Sequence, residues 1–273
     1  MKNIGIILSL LFCFQAFSQR KPKIKGNKNV VDVTESLPAF NAIELNDDLE
    51  IFLTKSNQEG YTLEADDNLI DVLKFKVEDS TLVISSFYKI TSKKKLDITI
   101  SYYELSNIIV RDGRIRMKDV IETEALTIET YGSAKVELNA ETTITNLNME
   151  GNSSGDFNIQ SDSLDIVLKD RVDARIYSVS EMTNVQMNTN SAVNMEGTTY
   201  AMSVHLFDKA NLKARKLQAE GVEVIAEGSP SARVYANKDF ELTSRGSSKT
   251  YLSGDAKIDI LEFLDTSELH KEK

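Results

Sequence analysis

Carboxylates are the side chains of this 273-residue sequence best suited to chemistry. Asp156, Asp170, Asp173 and Asp208 fall in or near predicted turns of the chain. Two carboxyl groups held about 5 to 9 Å apart hydrolyse glycosidic bonds in many enzymes. Because the chain has 42 acidic residues, such a pair also arises by chance. A polysaccharide-active enzyme is therefore the least favoured of three functional hypotheses.

Other catalytic groups are scarce. The chain has two histidines and one cysteine, and it contains neither a His-x-x-x-His spacing nor a Gly-x-Ser-x-Gly motif. His205 lies in an alternating apolar segment and is expected to point outward, whereas His270 lies in a charged tail. Asp47–Asp48 and Asp66–Asp67 lack the spaced oxygen ligands of calcium loops. We therefore predict no catalytic residue, no metal site and no cofactor.

Period-two alternation defines the elements that must carry any site. Polar and apolar residues alternate in segments such as Leu49–Leu53 and Leu96–Ile100, which is typical of strands with one buried face. Similar apolar openings recur at residues 108, 126, 147, 164, 185, 204, 222 and 240. A repeat of about 19 residues built from short strands predicts a β-solenoid of about eight short coils.

Small residues separate the two apolar groups of most units, as at Gly132–Ser133 and Gly246–Ser247. They suit tight corners between stacked coils. Asp112–Gly113, Lys169–Asp170 and Asp208–Lys209 depart from this habit and leave the geometry of their corners open. Asp112–Gly113 is also a hairpin signal, which favours the alternative architecture, an antiparallel sandwich or barrel.

One column of side chains is a candidate binding surface, which we call the predicted ladder. Residues five positions after each unit opening are expected to stack along the solenoid as exposed polar and planar groups, which hydrogen-bond to or stack on sugars. An ordinary solvated turn column is the alternative interpretation. The predicted ladder consists of Tyr131, Asn152, Lys169, Asn190, Lys209, Glu227 and Arg245.

The first 29 residues predict export. Residues 1–18 have a basic start, a short apolar core and a small-x-small cleavage site, the three parts of a signal peptide. A lipid anchor at Cys13 is disfavoured because the bulky Phe12 precedes it. Residues 19–29 are predicted to be a basic flexible leader, with contact to anionic lipid headgroups or polysaccharide as the alternative.

The rest of the chain divides into three parts. Residues 30–103 do not keep the repeat, and we predict that they form a strand layer capping the solenoid, with a helical turn near Asn68–Leu73. Residues 104–260 form the repeat coils, in one domain with the cap. Residues 261–273 are a C-terminal tail, of which Ser267 to Lys273 are expected to form a short helix or to be frayed.

Composition excludes several classes of protein. The formal net charge is −10, which disfavours nucleic-acid binding because phosphates require a clustered basic surface. No segment after the signal peptide is long and apolar enough for a membrane helix.

The order of the strand and turn segments resembles that of a known family. The segments are Phe40–Leu45, Leu49–Leu53, Leu63–Ile70, Leu82–Ile84, Leu105–Ile108, Gly228–Ala232 and Gly246–Tyr251. In this order, over about residues 30–258, the chain resembles the bacterial putative auto-transporter adhesin, head GIN domain proteins. The resemblance implies a right-handed parallel β-helix in an exported envelope protein, and it brings no catalytic residues.

These observations together predict an exported, non-catalytic β-helix protein, located in the periplasm or at the cell surface. We expect it to act as an adhesin-like module that binds cell-surface glycans or envelope proteins through its repetitive face. The alternative is a periplasmic structural or sensory partner of other envelope proteins. The sequence leaves the ligand and the oligomeric state open.

Overall fold

Alternating buried and exposed residues shape the strands of residues 21–272, the part of the chain that this computed structural model describes. The predicted signal peptide and Cys13 lie outside these residues. The first third of the described chain contains nine short strands and one helical turn. These are β1 (Lys23–Lys25), β2 (Val30–Ser36), β3 (Ala42–Leu45), β4 (Glu50–Lys55), β5 (Gly60–Asp66), α1 (Asp67–Ile70), β6 (Leu73–Glu78), β7 (Thr81–Ser86), β8 (Lys89–Ser92) and β9 (Leu96–Tyr102).

The remaining strands stack in parallel from coil to coil, and seven of them are long. They are β10 (Asn107–Val110), β11 (Arg114–Thr130), β12 (Lys135–Met149), β13 (Ser154–Leu168), β14 (Asp173–Met187), β15 (Ala192–Asp208), β16 (Asn211–Gly228), β17 (Ser231–Gly246), β18 (Lys249–Ser253), β19 (Lys257–Phe263) and β20 (Glu268–Lys271). They form a β-solenoid of about nine turns, which confirms the predicted fold class and is close to the predicted eight coils.

Each coil contributes to two faces. In β12 the pairing skips Thr143, so the strand divides into a first part, residues 135–142, and a second part, residues 144–149. Equivalent first parts stack on one another as face A, which begins with β9 and β4 and ends with β18 and β20. The second parts stack as face B, which begins with β7, β3 and β10 and ends with β19. Buried aliphatic side chains of both faces fill the core between them.

The observed register corrects four of the predicted unit openings. Ile108 pairs with Ile128 rather than with Leu126, and Leu126 pairs with Thr145. Leu164 pairs with Thr183, and Thr183 in turn with Met202. The openings predicted at residues 108, 147, 185 and 204 were therefore wrong by two residues. Thr145 and Thr183 are fully buried, and each is hydrogen-bonded inside the core, Thr183 to Thr199 at 3.2 Å. An apolar pattern cannot identify such positions.

The corners between faces B and A share one backbone conformation. Eight successive coils place a residue with a positive φ of 57° to 97° at the same corner, and we call these residues the corner column. The corner column is Gly132, Gly151, Asp170, Thr189, Asp208, Gly228, Gly246 and Asp265. The carbonyls of the first seven accept the N–H of the next coil, as in the 2.7 Å bond from Asn152 to Gly132. The departures at Asp170 and Asp208 thus keep the corner geometry of the glycines.

Asp112–Gly113 is also a corner rather than a hairpin. β10 before it lies on face B and the first part of β11 after it lies on face A, and β10 pairs in parallel with the second part of β11. Gly113 has a φ of 87°, and a Cβ there would lie 2.4 Å from the carbonyl oxygen of Leu49. The antiparallel sandwich or barrel is therefore the wrong architecture for this chain.

The N-terminal end of the solenoid is capped, as predicted. β7 pairs in parallel with β3, and β9 pairs in parallel with β4. Beyond these layers the pairing becomes antiparallel, with β6 on β7, β5 on β9 and β2 on β5. The helical turn α1 buries Leu69 completely. These antiparallel strands cover the first layer of the core.

Two terminal segments differ from their predictions. The leader contains strand β1, which pairs with β8, because the lysines of β1 alternate with Ile24, which is partly buried. The tail contains β20, which pairs with β18 and continues face A by another strand. The flexible leader and the short helix or frayed tail were therefore wrong for these residues.

Candidate functional site

The predicted ladder separates into two columns in the structure. Glu227 pairs with Arg245, and Lys169 and Tyr131 occupy equivalent positions, since their N–H groups bond to the coil below directly after face B ends. The N–H groups of Asn152, Asn190 and Lys209 instead bond to corner-column carbonyls, so these residues lie two positions later. The wrong openings at residues 147, 185 and 204 caused this division.

Side chains of the first of these columns are engaged by their own neighbours. The hydroxyl of Tyr131 donates to Glu129 at 2.8 Å, and this bond raises the pKa of Tyr131. Arg245 contacts Glu262 at 2.6 Å and Glu227 at 3.6 Å. The contacts of Arg245 join adjacent coils, whereas the Tyr131 bond lies within one coil.

The candidate catalytic carboxylates separate into two groups, since Asp156 and Asp173 line one depression on face A whereas Asp170 and Asp208 lie at the corners. Asp170 and Asp208 are members of the corner column, where the backbone is left-handed, a conformation that aspartate tolerates better than most residues. Asp173 stacks on Ser154. Asp156 forms an ion pair with Arg175, with its Oδ2 atom 2.7 Å from Nη2 and 3.1 Å from Nε.

A groove of about 570 Å³ lies on face A where coils from β11 to β15 stack. A smaller depression of about 290 Å³ adjoins it and shares Glu137, Asp156 and Arg175 with it. Two columns of outward side chains line the groove, and each column places one residue per coil. The first column is Glu137, Asp156, Arg175 and Asn194, and the second is Asn139, Asn158, Tyr177 and Glu196.

Opposite charges neutralise one another around the groove. Asp156 pairs with Arg175, and Arg116 lies 3.2 Å from Glu137 and 3.1 Å from Glu50. These pairs join successive coils in register. The groove therefore presents planar charged groups whose charges are already balanced.

Tyr177 and Glu196 complete the second column. Tyr177 is 52% exposed, so its aromatic face is available to a ligand. Glu196 accepts hydrogen bonds from Lys216 at 2.9 Å and from Asn194 at 3.4 Å, and these bonds lower its pKa. An exposed ring beside three amides and balanced ion pairs is suited to binding uncharged hydroxyl-rich molecules.

The sequence analysis missed this groove. The groove becomes visible only when residues about one coil apart are aligned, and the register had to be known to within one residue. Oppositely charged residues 19 to 21 positions apart, such as Asp156 with Arg175 and Arg116 with Glu137, are the signal that can identify such a face.

The two histidines lie elsewhere. His205 lines a shallow depression of about 290 Å³ on face B, beside Asp165 and Asn184. His270 stacks on Tyr251 with ring centroids 4.9 Å apart and contacts Glu268 at 2.8 Å. Among residues 21–272, no group of three or more His, Cys, Asp or Glu side chains is arranged to hold a metal ion. Within the same range, no helix is long and apolar enough to cross a bilayer.

Comparisons with known proteins agree with this architecture. The family model described as putative auto-transporter adhesin, head GIN domain, matches residues 39–162 and again residues 143–256. A putative adhesin from Parabacteroides merdae has a similar structure, with a TM-score of 0.70 at 14% identity, covering 92% of this chain and all of that one. The comparison with curated proteins gave no match.

Two structures from Parabacteroides distasonis are also similar. One is described as a putative adhesin, with a TM-score of 0.68 at 14% identity, covering 91% of this chain and 99% of that chain. The other is described as a putative lipid binding protein, with a TM-score of 0.65 at 19% identity, covering 92% of this chain and all of that chain. At these identities the likeness establishes the shared fold.

Proposed function

This chain belongs to the putative auto-transporter adhesin, head GIN domain family, and from that premise we propose that it is an exported, non-catalytic adhesion module. Its ligand is a neutral carbohydrate polymer of a cell surface, held along the groove on face A. The observation that carries the proposal is the pair of in-register columns around Tyr177, which repeats hydrogen-bonding side chains from coil to coil.

The spacing of the solenoid supports a polymeric ligand. Neighbouring coils lie about 4.8 Å apart, so successive coils offer polar groups to successive segments of an extended chain. Tyr177 provides a flat apolar surface for a sugar ring, and Asn158 provides both donors and acceptors. Asn139 provides an acceptor, because its amide nitrogen already donates to the carbonyls of Lys118 and Asp119. Each contact is weak, and the affinity arises from several contacts made together.

The ion pairs of the groove support binding without cleavage. Asp156 is held by Arg175, and Glu137 is held by Arg116. A glycosidase requires two carboxyl groups that both face the scissile bond. The carboxylates of Asp156 and Glu137 instead contact arginines of neighbouring coils. We therefore expect bound carbohydrate to be released intact.

A carbohydrate screen followed by substitution tests this function. Tyr177→Ala is expected to weaken binding of the selected glycan about tenfold, because the ring loses its stacking surface. Tyr200→Ala is the matched control, since Tyr200 is 66% exposed and lies outside the groove. The proposal fails if Tyr177→Ala binds as tightly as the unaltered protein, and the non-catalytic assignment fails if shortened glycan appears.

Location is tested separately, by treating intact cells with a protease. Degradation of the protein in intact cells supports a surface adhesin. If the protein is degraded only after the outer membrane is opened, it lies in the periplasm. The groove then serves a structural or sensory partner of envelope components. A known periplasmic protein, followed in the same samples, reports whether the outer membrane stayed closed.

A further inference from the structure

Two lysine-rich segments of the chain meet at the N-terminal end of the solenoid. Residues 21–28 and 89–95 together contain eight lysines and no acidic residue. Taking these eight positive charges from a formal net charge of −10 leaves −18 on the rest of the chain. The protein therefore has one concentrated basic region on a strongly acidic body.

A small separate sheet, which we call the basic sheet, fixes the two segments side by side. β1 pairs in parallel with β8, so that Lys23 lies beside Lys89 and Ile24 beside Ile90. Hydrogen bonds from Gly26 N–H to Ser92 O at 2.8 Å and from Lys89 N–H to Pro22 O at 2.9 Å extend the pairing at both ends. The basic sheet is not hydrogen-bonded into the main sheet of the solenoid.

Most of these lysines have no acidic partner. Lys21 pairs with Asp47, and Lys95 pairs with Glu64 and Asp97. Among residues 21–272, the other six form no ion pair within 4 Å. The six are Lys23, Lys25, Lys28, Lys89, Lys93 and Lys94, and all six are exposed.

Nearby carboxylates lie to one side or are already satisfied. Asp47, Asp48 and Asp112 line a depression of about 510 Å³ that Lys23 and Lys89 border. Asp66 is buried and accepts the backbone N–H groups of Lys28, Lys94 and Lys95. Asp47 and Asp66 therefore anchor the basic segments, while the six lysines without an ion pair stay exposed.

Exposed aromatic residues stand at the same place. Phe87 and Tyr88, directly before β8, are 53% and 37% exposed. The Nζ atom of Lys74 lies 3.8 Å from the centre of the Phe87 ring. Exposed aromatic rings beside several lysines are the combination that membrane-interface segments use.

We propose that the basic sheet docks the protein on the surface of an anionic lipid bilayer. The unpaired lysines contact lipid phosphates, and Phe87 and Tyr88 enter the interfacial region. Each lysine near an anionic surface strengthens binding about fivefold, with a reach limited by the Debye length. The aromatic rings distinguish a bilayer from a soluble polyanion, which offers them no apolar layer.

Vesicle sedimentation tests the proposal with the exported protein as the cell processes it, its N-terminus checked by mass. Vesicles of phosphatidylcholine containing phosphatidylglycerol are compared with vesicles of phosphatidylcholine alone. We expect binding only to the anionic vesicles, weakened by salt. Substituting Lys23, Lys25 and Lys89 by Gln is expected to reduce the binding constant about 100-fold.

Two further variants make the result specific. Replacing Lys118, Lys209 and Lys213 by Gln removes the same charge from exposed positions of the coils and is expected to leave binding within about twofold of the unaltered protein. Phe87→Ser is expected to weaken vesicle binding about fivefold and to leave binding to soluble heparin unchanged. A circular dichroism spectrum confirms that each variant is folded.

Three outcomes overturn the proposal. They are absence of binding to anionic vesicles, equal losses in the two lysine variants, and binding to heparin that matches vesicle binding and ignores Phe87. The last outcome assigns the basic sheet to a soluble or polysaccharide polyanion instead. None of these results depends on the groove, so the adhesion proposal is tested independently.

Discussion

The two ends of the solenoid differ in how their last layer is covered. At the N-terminal end, Leu82 and Ile84 of β7 are fully buried, and β6 extends their face by another strand. At the C-terminal end, Ile258 and Ile260 of β19 are 39% and 50% exposed. They stack on Phe240 and Leu242, which are fully buried. The same inward pattern gives burial only where another layer follows it.

The two ends also protect their edges by different means. The N-terminal end uses non-repeating sequence to add antiparallel strands, which turns a stack of open coils into a closed layer. β19 pairs only with β17 among residues 21–272, so its outer edge has no strand partner, and Lys257, Asp259 and Glu262 are interspersed among its apolar residues. Charged side chains on an edge strand discourage pairing with other chains. The end of a solenoid can thus be covered by further strands, or its exposed edge strand can carry charges that disfavour pairing with another chain.

The largest expected effect separates the interior from the open end. Phe240→Ala is expected to lower the free energy of unfolding by about 4 kcal/mol, because a fully buried aromatic side chain leaves a cavity. Ile260→Ala, one coil later, is expected to cost about 1 kcal/mol, since half of that side chain is already in water. Urea denaturation followed by circular dichroism measures both. Equal losses would mean that the C-terminal end is covered in solution.

A smaller effect is expected at the corners, where the positive φ and the close packing of stacked backbones restrict which residue fits. Gly246 has a φ of 77°, and a Cβ there would lie 2.3 Å from the carbonyl oxygen of Gly228. Gly246→Ala is therefore expected to cost about 2 kcal/mol. Gly221→Ala is the control, because no atom lies within 4 Å of a Cβ at that position. If both substitutions have the same effect in urea denaturation, the corner column does not constrain the fold.

The smallest effect is confined to the capped end and depends on pH. Burial opposes ionisation of Asp66, but the backbone N–H groups of Lys94, Lys28 and Lys95 outweigh it and lower the pKa of Asp66. A lowered pKa stabilises the folded cap above the ordinary value of 3.8, and this contribution is lost as pH falls through the folded value. Between pH 7 and pH 5 we expect no change.

Hydrogen exchange measures this effect at the three lysine amides. Corrected for intrinsic rates, their protection is expected to fall below about pH 4, while the amides of β13 and β14 stay protected. Asp66→Asn is expected to lower protection of the same three amides at pH 7. Asp71→Asn, an exposed substitution on the same end, is expected to leave it unchanged. A uniform loss throughout the solenoid would assign the acid effect to other carboxylates.

The architecture could be predicted because every coil of a solenoid repeats the same sequence pattern. Alternation identified the strands, and small residues identified most corners. Residues 30–103 were recognised as a cap because they lack the repeat. Register was harder, since Thr145 and Thr183 are buried polar residues in apolar columns. A displacement of two residues at the openings 147, 185 and 204 was enough to mix two columns in the predicted ladder.

The terminal strands and the groove could not be predicted, because both depend on which residues of different coils pair with one another. β1 is three residues long and pairs with β8, 66 positions later, so neither strand alone carries a signal. The alignment of Asp156 with Arg175 follows from stacking, not from any local pattern. The corner residue Asp170 could not be recognised as left-handed from its type, because aspartate adopts that conformation only where the neighbouring coil requires it.

The corner column also has a consequence for the gene. Successive corners are 18 to 20 residues apart, and each coil begins and ends with the same backbone conformation at the same hydrogen-bonded position. An in-frame duplication of about 57 nucleotides therefore adds one complete coil, and a deletion of that size removes one, with both ends left intact. Selection can lengthen or shorten this protein in steps of about 4.8 Å. The length of the solenoid is therefore set by the number of coils that the gene encodes.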